Sequence, residues 1–353
     1  MNRIYSRIMV MLVCLSLVAV LFFSCADKDR ADADSGYQMI MGTFAHVIAV
    51  AEDSGTAKKC VRAALEEIRK VDDLMSDYKS DSEISRVNRE AGERAVKVSK
   101  STYEVMQRSV EFSEMTGGAF DITVGPLVAL FRNAKENKVA PSEEQIAQAR
   151  SKVGFEKLKL DSENKTVQFS DNGMLLDLGG IAKGYAIDKA IEAAQRSGAI
   201  GAMVDIGGDV RCFGLPPKGK DHWLIGLQDP NSAIQGIGGG ELQLVLKVTN
   251  AAVATSGDYQ QFVFIEGKRY SHIMDRGTGT SAEGLSSVTI IADNATDADA
   301  LATSVSVMGA EKGLALIEKL PNTEAILIAP QPTYEIIKTS GADKYVKSAG
   351  PGI

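Results

Sequence analysis

With 353 residues, 44% of them hydrophobic and 24% charged, the chain can bury one large core or two modest ones, and its composition excludes disordered and fibrous classes. A formal net charge of −7 argues against nucleic acid as a partner. Its four cysteines form no C-x-x-C pair, which removes support for zinc or dithiol redox chemistry.

Met1 to Arg7 carries Arg3 and Arg7 and no acid, and the apolar run Ile8 to Phe23 leads into Ser24-Cys25, the layout of a secretory signal over residues 1–25. A bilayer span needs roughly 20 apolar residues, more than this run offers, so export is favoured over a retained span. Leu21-Phe22-Phe23-Ser24-Cys25 resembles a bacterial lipobox, with Phe22 where leucine is usual; Cys25 would then be lipidated and begin the mature chain. Residues 26–36 read as a polar tether that holds a soluble domain off a membrane surface. Loss of Arg3 and Arg7 with the leader leaves 37 basic residues against 46 acidic ones, a net of −9. Cys60 and Cys212 remain, and their spacing does not decide whether they pair.

Along the mature chain, Tyr37 to Ala51 is rich in β-formers and is predicted as a strand. Apolar residues at Val61, Ala64, Leu65, Ile68, Val71 and Leu74 predict a helix over 56–75. Further helices are expected over 101–115, capped by Ser99 and ended by Gly117-Gly118, and over 142–153. Short strands fit 158–160 and 166–169. Leu175 to Gly180 reads as a hydrophobic strand ending in two glycines, followed by a helix over 181–196. Strands are then expected over 202–206, 210–213, 223–227, 242–248, 261–265 and 287–292. Two helices, 297–308 and 310–320, precede strands at 325–328 and 334–337. This order is neither repeated nor regularly βαβ, so the class is α+β, one domain over 37–340 with a fraying tail over 341–353.

Asp299 and Thr303 stand four residues apart, so a helix points carboxylate and hydroxyl the same way, and both are hard oxygen donors that suit Mg2+. Taken alone, that segment is better explained by helix-end electrostatics for Asp297 and Asp299 with a packed Thr303. In Asp177-Leu-Gly-Gly-Ile-Ala-Lys183-Gly, the glycines allow close backbone approach and Lys183 adds a cation on the first helical turn, an arrangement suited to a pyrophosphate. A tight turn with an exposed lysine is the plainer alternative. His272 lies at a strand end before a glycine turn, a common place for chemistry. No G-x-S-x-G, Walker A or zinc-ligand spacing occurs.

Together these segments resemble the ApbE family of FAD:protein FMN transferases. The motifs are Met41-Gly42-Thr43, Met75-Ser-Asp-Tyr78, Ser82 to Asn88, Thr116 to Pro126, Asp177 to Ala186, Val204 to Asp209, Ala254 to Gly257, His272 to Gly279 and Ala298 to Thr303. The resemblance implies an α+β, T-fold-related single domain with mixed β-sheets and packed helices, and an exported, lipid-anchored enzyme. It implies Mg2+ held by the Ala182 carbonyl, Asp299 and Thr303, with the substrate completing the shell. FAD would be bound by Met41, Tyr78, Ala119, Phe120, Asp121, Lys183 and Ile273, with Tyr78 stacking on the flavin and Asp121 accepting hydrogen bonds. The family's His-Ile-x-Asp-Pro-Arg pattern is altered, with Arg276 at the proline position and Gly277 at the basic one, which puts loop rigidity in question.

The implied reaction moves FMN from FAD to a Thr or Ser hydroxyl of an acceptor protein and releases AMP, with His272 or Asp299 taking the proton. Acceptors would be subunits of Rnf-type or sodium-pumping NADH:quinone reductases and other flavoproteins. The acceptor motif that the resemblance implies is D-x-x-[ST]-G-A-[ST], which Asp275 to Ser281 superficially resembles. An FAD pyrophosphatase giving FMN and AMP, or a non-catalytic FAD-binding lipoprotein, are the alternatives.

Overall fold

The computed structural model describes residues 30–230, 242–257, 262–330 and 335–347. The leader and Cys25 lie outside them. The first half forms β1 (Ala31–Asp34), β2 (Gln38–Ile40), β3 (Thr43–Ala51), α1 (Ser54–Met75), α2 (Glu83–Glu90), β4 (Val96–Lys97), α3 (Lys100–Met115), α4 (Gly125–Asn137), α5 (Glu143–Arg150), β5 (Leu158–Asp161) and β6 (Thr166–Phe169). Then come α6 (Ala182–Arg196), β7 (Gly201–Ile206), β8 (Asp209–Gly214), β9 (Trp223–Gln228), β10 (Leu242–Val248), β11 (Ala251–Gly257), β12 (Phe262–Ile265), β13 (Lys268–Ser271), β14 (Met274–Asp275), β15 (Thr280–Ser281), β16 (Ser287–Ala292), α7 (Ala295–Ile317), β17 (Glu324–Ile328) and β18 (Ile336–Lys338).

Nine strands make the main sheet in the order β1-β3-β7-β8-β11-β16-β17-β18, with β2 also paired to β3, and every pairing is antiparallel. Alternation sends Ala45, Val47 and Ala49 of β3 and Val204 and Ile206 of β7 to one face, where they meet α1, α6 and α7. The opposite face buries Val50, Val210 and Val253 beneath Trp223, Ile225 and Leu246 of the β9–β10 hairpin. Central β16 is buried at all six positions, as a strand covered on both faces must be. Helix α7 is long and apolar enough to cross a bilayer, yet here Ala298, Ala300, Leu301, Ala302 and Val305 are core residues. This is the expected α+β class.

Several elements differ from the sequence reading for identifiable reasons. Residues 37–51 are not one strand: Met41 and Gly42 both take positive φ (56° and 69°), the two-residue turn of a tight hairpin. Part of the proposed tether is ordered, since Ala31–Asp34 pairs with β3, and Asp34 bonds the Gly36 N–H at 2.7 Å and the His46 ring at 2.7 Å. The tail does not fray up to Lys347, because the Lys247 N–H donates to Tyr345 O, the Lys347 N–H donates to Val245 O, and Ala342 is buried. Residues 348–353 lie outside the described residues. Cys60 and Cys212 are both buried and free, Cys60 on α1 and Cys212 on β8, each packed in a different core.

Leu175 to Gly180 forms no strand beyond one bridge from Leu175 to Val124. A side chain stands in for the neighbouring strand: the Leu176 N–H donates to Asn88 Oδ1 (2.7 Å), and Asn88 Nδ2 donates to Leu176 O (3.0 Å). The Asp177 N–H then bonds Ile122 O, so the apolar segment is held by partners no periodicity reveals. Asn88→Ala should orphan both Leu176 groups and cost about 2 kcal/mol, measured by urea unfolding. Wild-type stability in that variant would contradict this role.

Candidate functional site

The site forms where α6 and α7 begin. Ile181 occupies the N-cap of α6 and offers no capping side chain; the cap comes from α7, where Asp299 Oδ2 accepts the Gly184 N–H at 3.0 Å. The exchange is mutual. Asp188 of α6 accepts the N–H groups of Ala295 and Thr296, each at 2.9 Å, and the Thr296 hydroxyl at 2.5 Å, adding to the cap that Asn294 gives α7. Arg211 holds Asp188 from β8 at 2.7 Å. Gly184 is required for this approach, since a Cβ there would overlap the Ala295 carbonyl and lie 2.9 Å from Asp299 Cβ.

The same contacts gather the proposed metal ligands. Thr303 Oγ1 lies 2.9 Å from the place a Gly180 Cβ would take, and Asp299 lies against Gly184, so Ala182 sits between two positions that touch α7. Phe120 closes the corner over Gly180 and packs edge-on against Phe112, centroids 5.9 Å apart. Asp299 is 3% exposed. Burial pushes its carboxyl above the usual range, against the pull of Lys183, the Gly184 N–H and His272. His272, on the exposed segment after β13, is therefore within electrostatic reach of Asp299.

Lys183, expected either to meet a pyrophosphate or to be an exposed turn lysine, has two carboxylates beside it. Its ammonium pairs with the Asp209 carboxylate and stands 3.8 Å from Asp299 Oδ1. Asp209 is held in turn by the Thr255 N–H at 2.9 Å. Asp209, the last residue of the Val204 to Asp209 motif, is thus a site residue to which the sequence reading gave no role. No cluster of three or more His, Cys, Asp or Glu side chains suited to a metal occurs among the described residues. A hard cation here would rely on one carboxylate, a hydroxyl and a carbonyl. Those oxygens are hard donors of the type that fits Mg2+.

Beside the corner, joined through the Gly179 N–H to Asp177 bond of 2.7 Å, lies a cleft of about 380 Å3 lined by Tyr78, Asn88, Arg132 and Asp177 among others. Tyr78 is 79% exposed, with the Arg132 guanidinium 4.6 Å from its ring centre and fixed by Asp77 at 2.9 Å. Burial raises the Asp177 carboxyl, opposed by the Gly179 N–H. Arg132 had no sequence signal, and Asp177 was noted only as the start of the glycine motif. Met41, at the strained hairpin tip, packs partly into the core, Ala119 is half-buried, and Ile273 is buried with its carbonyl accepting from Ala282 N–H.

Asp121 does not present free oxygens to a ligand. Oδ1 accepts the N–H and hydroxyl of Thr123, and Oδ2 accepts the Phe155 N–H and Arg276 Nη1, at 2.6 to 3.0 Å. Nor is the altered loop slack. Arg276 also reaches Glu156 at 3.2 Å, lies over Phe155, and enters space that only a glycine at 118 leaves open. Arg150 bonds the Gly277 carbonyl at 2.8 Å, and Ile273 and Met274 are buried below. The Arg276 ion pairs and the Arg150 bond thus restrain the loop.

A sequence model of the ApbE family matches residues 41–327. The FAD:protein FMN transferase of Treponema pallidum is 32% identical over 344 residues, 93% of this chain and 92% of that one. The FAD:protein FMN transferase of Haemophilus influenzae is 32% identical over 352 residues, 98% of each. Among solved structures, the ApbE protein of Thermotoga maritima superposes with a TM-score of 0.78 at 32% identity, over 90% of this chain and 100% of that one. Flavin transferase ApbE from Vibrio cholerae gives 0.75 at 29%, over 90% and 99%.

Arg276→Ala would leave the Asp121 carboxylate, 1% exposed, with one fewer charged partner. A stability loss of about 2 kcal/mol is expected, with kcat reduced more than FAD affinity and part of both restored by Arg276→Lys. Equal kcat in the alanine variant would show that the ion pair does not set the loop.

Proposed function

The chain belongs to the ApbE family, and from that membership and the site described above we propose that it is an enzyme that transfers FMN from FAD to an acceptor protein. The observation that carries the reading is the oxygen-donor corner of Ala182, Asp299 and Thr303, flanked by Lys183 and backed by glycines that admit a phosphate chain. Mg2+ bound by those three residues would neutralise pyrophosphate charge and so favour departure of AMP. Lys183, positioned by Asp209, lies where it would meet a phosphate oxygen. The cleft of Tyr78, Arg132 and Asp177 takes a ring of FAD, with Tyr78 offering the stacking face.

The acceptor is a threonine or serine hydroxyl. Its oxygen forms a bond to the phosphorus on the FMN side, the bridging P–O bond breaks, and AMP leaves with that electron pair. His272 takes the hydroxyl proton, because it is exposed, whereas Asp299 is buried with Oδ2 already engaged by Gly184 N–H. Acceptor subunits of Rnf-type or sodium-pumping NADH:quinone reductases fit this reading. So does delivery to a membrane surface through a lipidated Cys25, on the strength of the sequence before residue 30.

Incubation with FAD, Mg2+ and such a subunit should yield an acceptor carrying one FMN, detected by mass spectrometry, together with AMP. Free FMN without adduct would indicate hydrolysis, and neither product would indicate binding alone. Asp299→Ala should lower transfer by more than about 100-fold while leaving the circular dichroism spectrum intact. A second substitution, Lys183→Ala, should weaken FAD binding more than Mg2+ binding, as read by calorimetry; equal losses would contradict its assignment to phosphate.

A further inference from the structure

Three large apolar side chains are exposed together on the β2–β3 hairpin. Tyr37, Met39 and Phe44 are 70%, 66% and 57% exposed. Tyr37 meets Phe44 edge-on with centroids 6.3 Å apart, and Met39 is the cross-strand partner of Phe44. Strand alternation fixes the direction: Ile40 and Ala45 face the helices, so Met39 and Phe44 face away. The second core covers that face of β3 at Ile48 and Val50 and does not extend to them. A contiguous exposed group of this kind marks an interaction surface, and Tyr, Met and Phe are the types enriched at such surfaces.

The patch adjoins the transfer site. Phe44 O accepts the Gly207 N–H at 2.9 Å, and Thr43 Cγ2 lies 3.0 Å from the place a Gly207 Cβ would take. Two residues on, Asp209 grips Lys183. An enzyme whose second substrate is a protein has an interface at its site by necessity, and this apolar surface lies at the same end of the sheet, on the face opposite α6 and α7. At the edge of the patch stands Asp34, exposed and bonded to His46, whose ring lies 4.7 Å from that of Tyr37. That carboxylate favours a partner with basic residues around an apolar centre and disfavours an anionic lipid surface.

We propose that Tyr37, Met39 and Phe44 form the docking surface for the acceptor protein, engaging apolar side chains beside the hydroxyl that receives FMN. The proposal rests on the transfer reading above. It assigns these residues no part in holding FAD or metal, so acceptor and flavin effects separate.

The test compares the full chain with a Tyr37→Ser, Met39→Ser, Phe44→Ser variant. The probe is the purified sodium-pumping NADH:quinone reductase subunit that bears the acceptor hydroxyl. KM for that subunit should rise at least about tenfold, while FAD affinity, read by flavin fluorescence, stays unchanged. Phe44→Leu alone should retain most of the wild-type KM. An unchanged acceptor KM overturns the proposal, as does an equal weakening of FAD binding, which would place the effect at the Met41 turn. Loss of binding to phosphatidylcholine vesicles with intact acceptor kinetics assigns the patch to lipid and overturns it as well. A wild-type chain that forms no adduct contradicts the transfer reading itself, and docking with it.

Discussion

Helices α6 and α7 each lack part of the hydrogen bonding their first turns need, and each receives it from the other. Asp299 reaches back to the Gly184 N–H, and Asp188 reaches across to Ala295 and Thr296. A helix start exposes several unpaired N–H groups, so a carboxylate there is favoured both by hydrogen bonding and by the helix dipole. Burial works against the Asp299 charge, which makes a cation at that place favourable in its turn. One arrangement therefore fixes the helix pair and builds the oxygen-donor corner. The glycines at 180 and 184 follow from it, because any larger residue would drive α6 and α7 apart.

Around this fixed centre the other parts are arranged by the sheet and by loops. Two hairpin tips, Met41-Gly42 and Gly207-Gly208, meet at one end of the sheet, and the second delivers Asp209 to Lys183. From the other side, α4 and α5 support the segment that follows His272, through a small core containing Leu127, Phe131 and Met274 and through the Arg150 bond to Gly277. The cleft at Tyr78 belongs to a third neighbourhood, tied to the corner by Asp177 and Gly179. A ligand reaching from cleft to corner would thus be held by parts of the chain remote in sequence.

Elements with clear period or capping were legible before folding was considered. The stripe from Val61 to Leu74 gave α1, Ser99 caps α3 as expected, Ser142 caps α5, and α7 is interrupted at Gly309, where φ is 77°, between the two helices expected there. What escaped was held by distant partners. Ala251–Gly257 has no alternation because both its faces are buried, and Leu175 to Gly180 owes its shape to Asn88. The Asp299 and Thr303 pair was visible as a helical spacing, but the spacing alone did not distinguish a ligand pair from a helix-end charge. Asp188, the partner that makes the corner rigid, carried no signal, since its role depends on a helix more than 100 residues away. Arg276 looked like a weakening of the loop until its partners Asp121 and Glu156 came into view.

The central claim is that the buried Asp299 carboxylate, shared between α6 and a divalent cation, organises the site. Mn2+ titration followed by electron paramagnetic resonance, with FAD present and the full chain folded, tests it most directly. The account predicts saturable Mn2+ binding that is lost in Asp299→Asn, while the helix content of that variant is unchanged. Saturable binding of equal affinity in Asp299→Asn would contradict it.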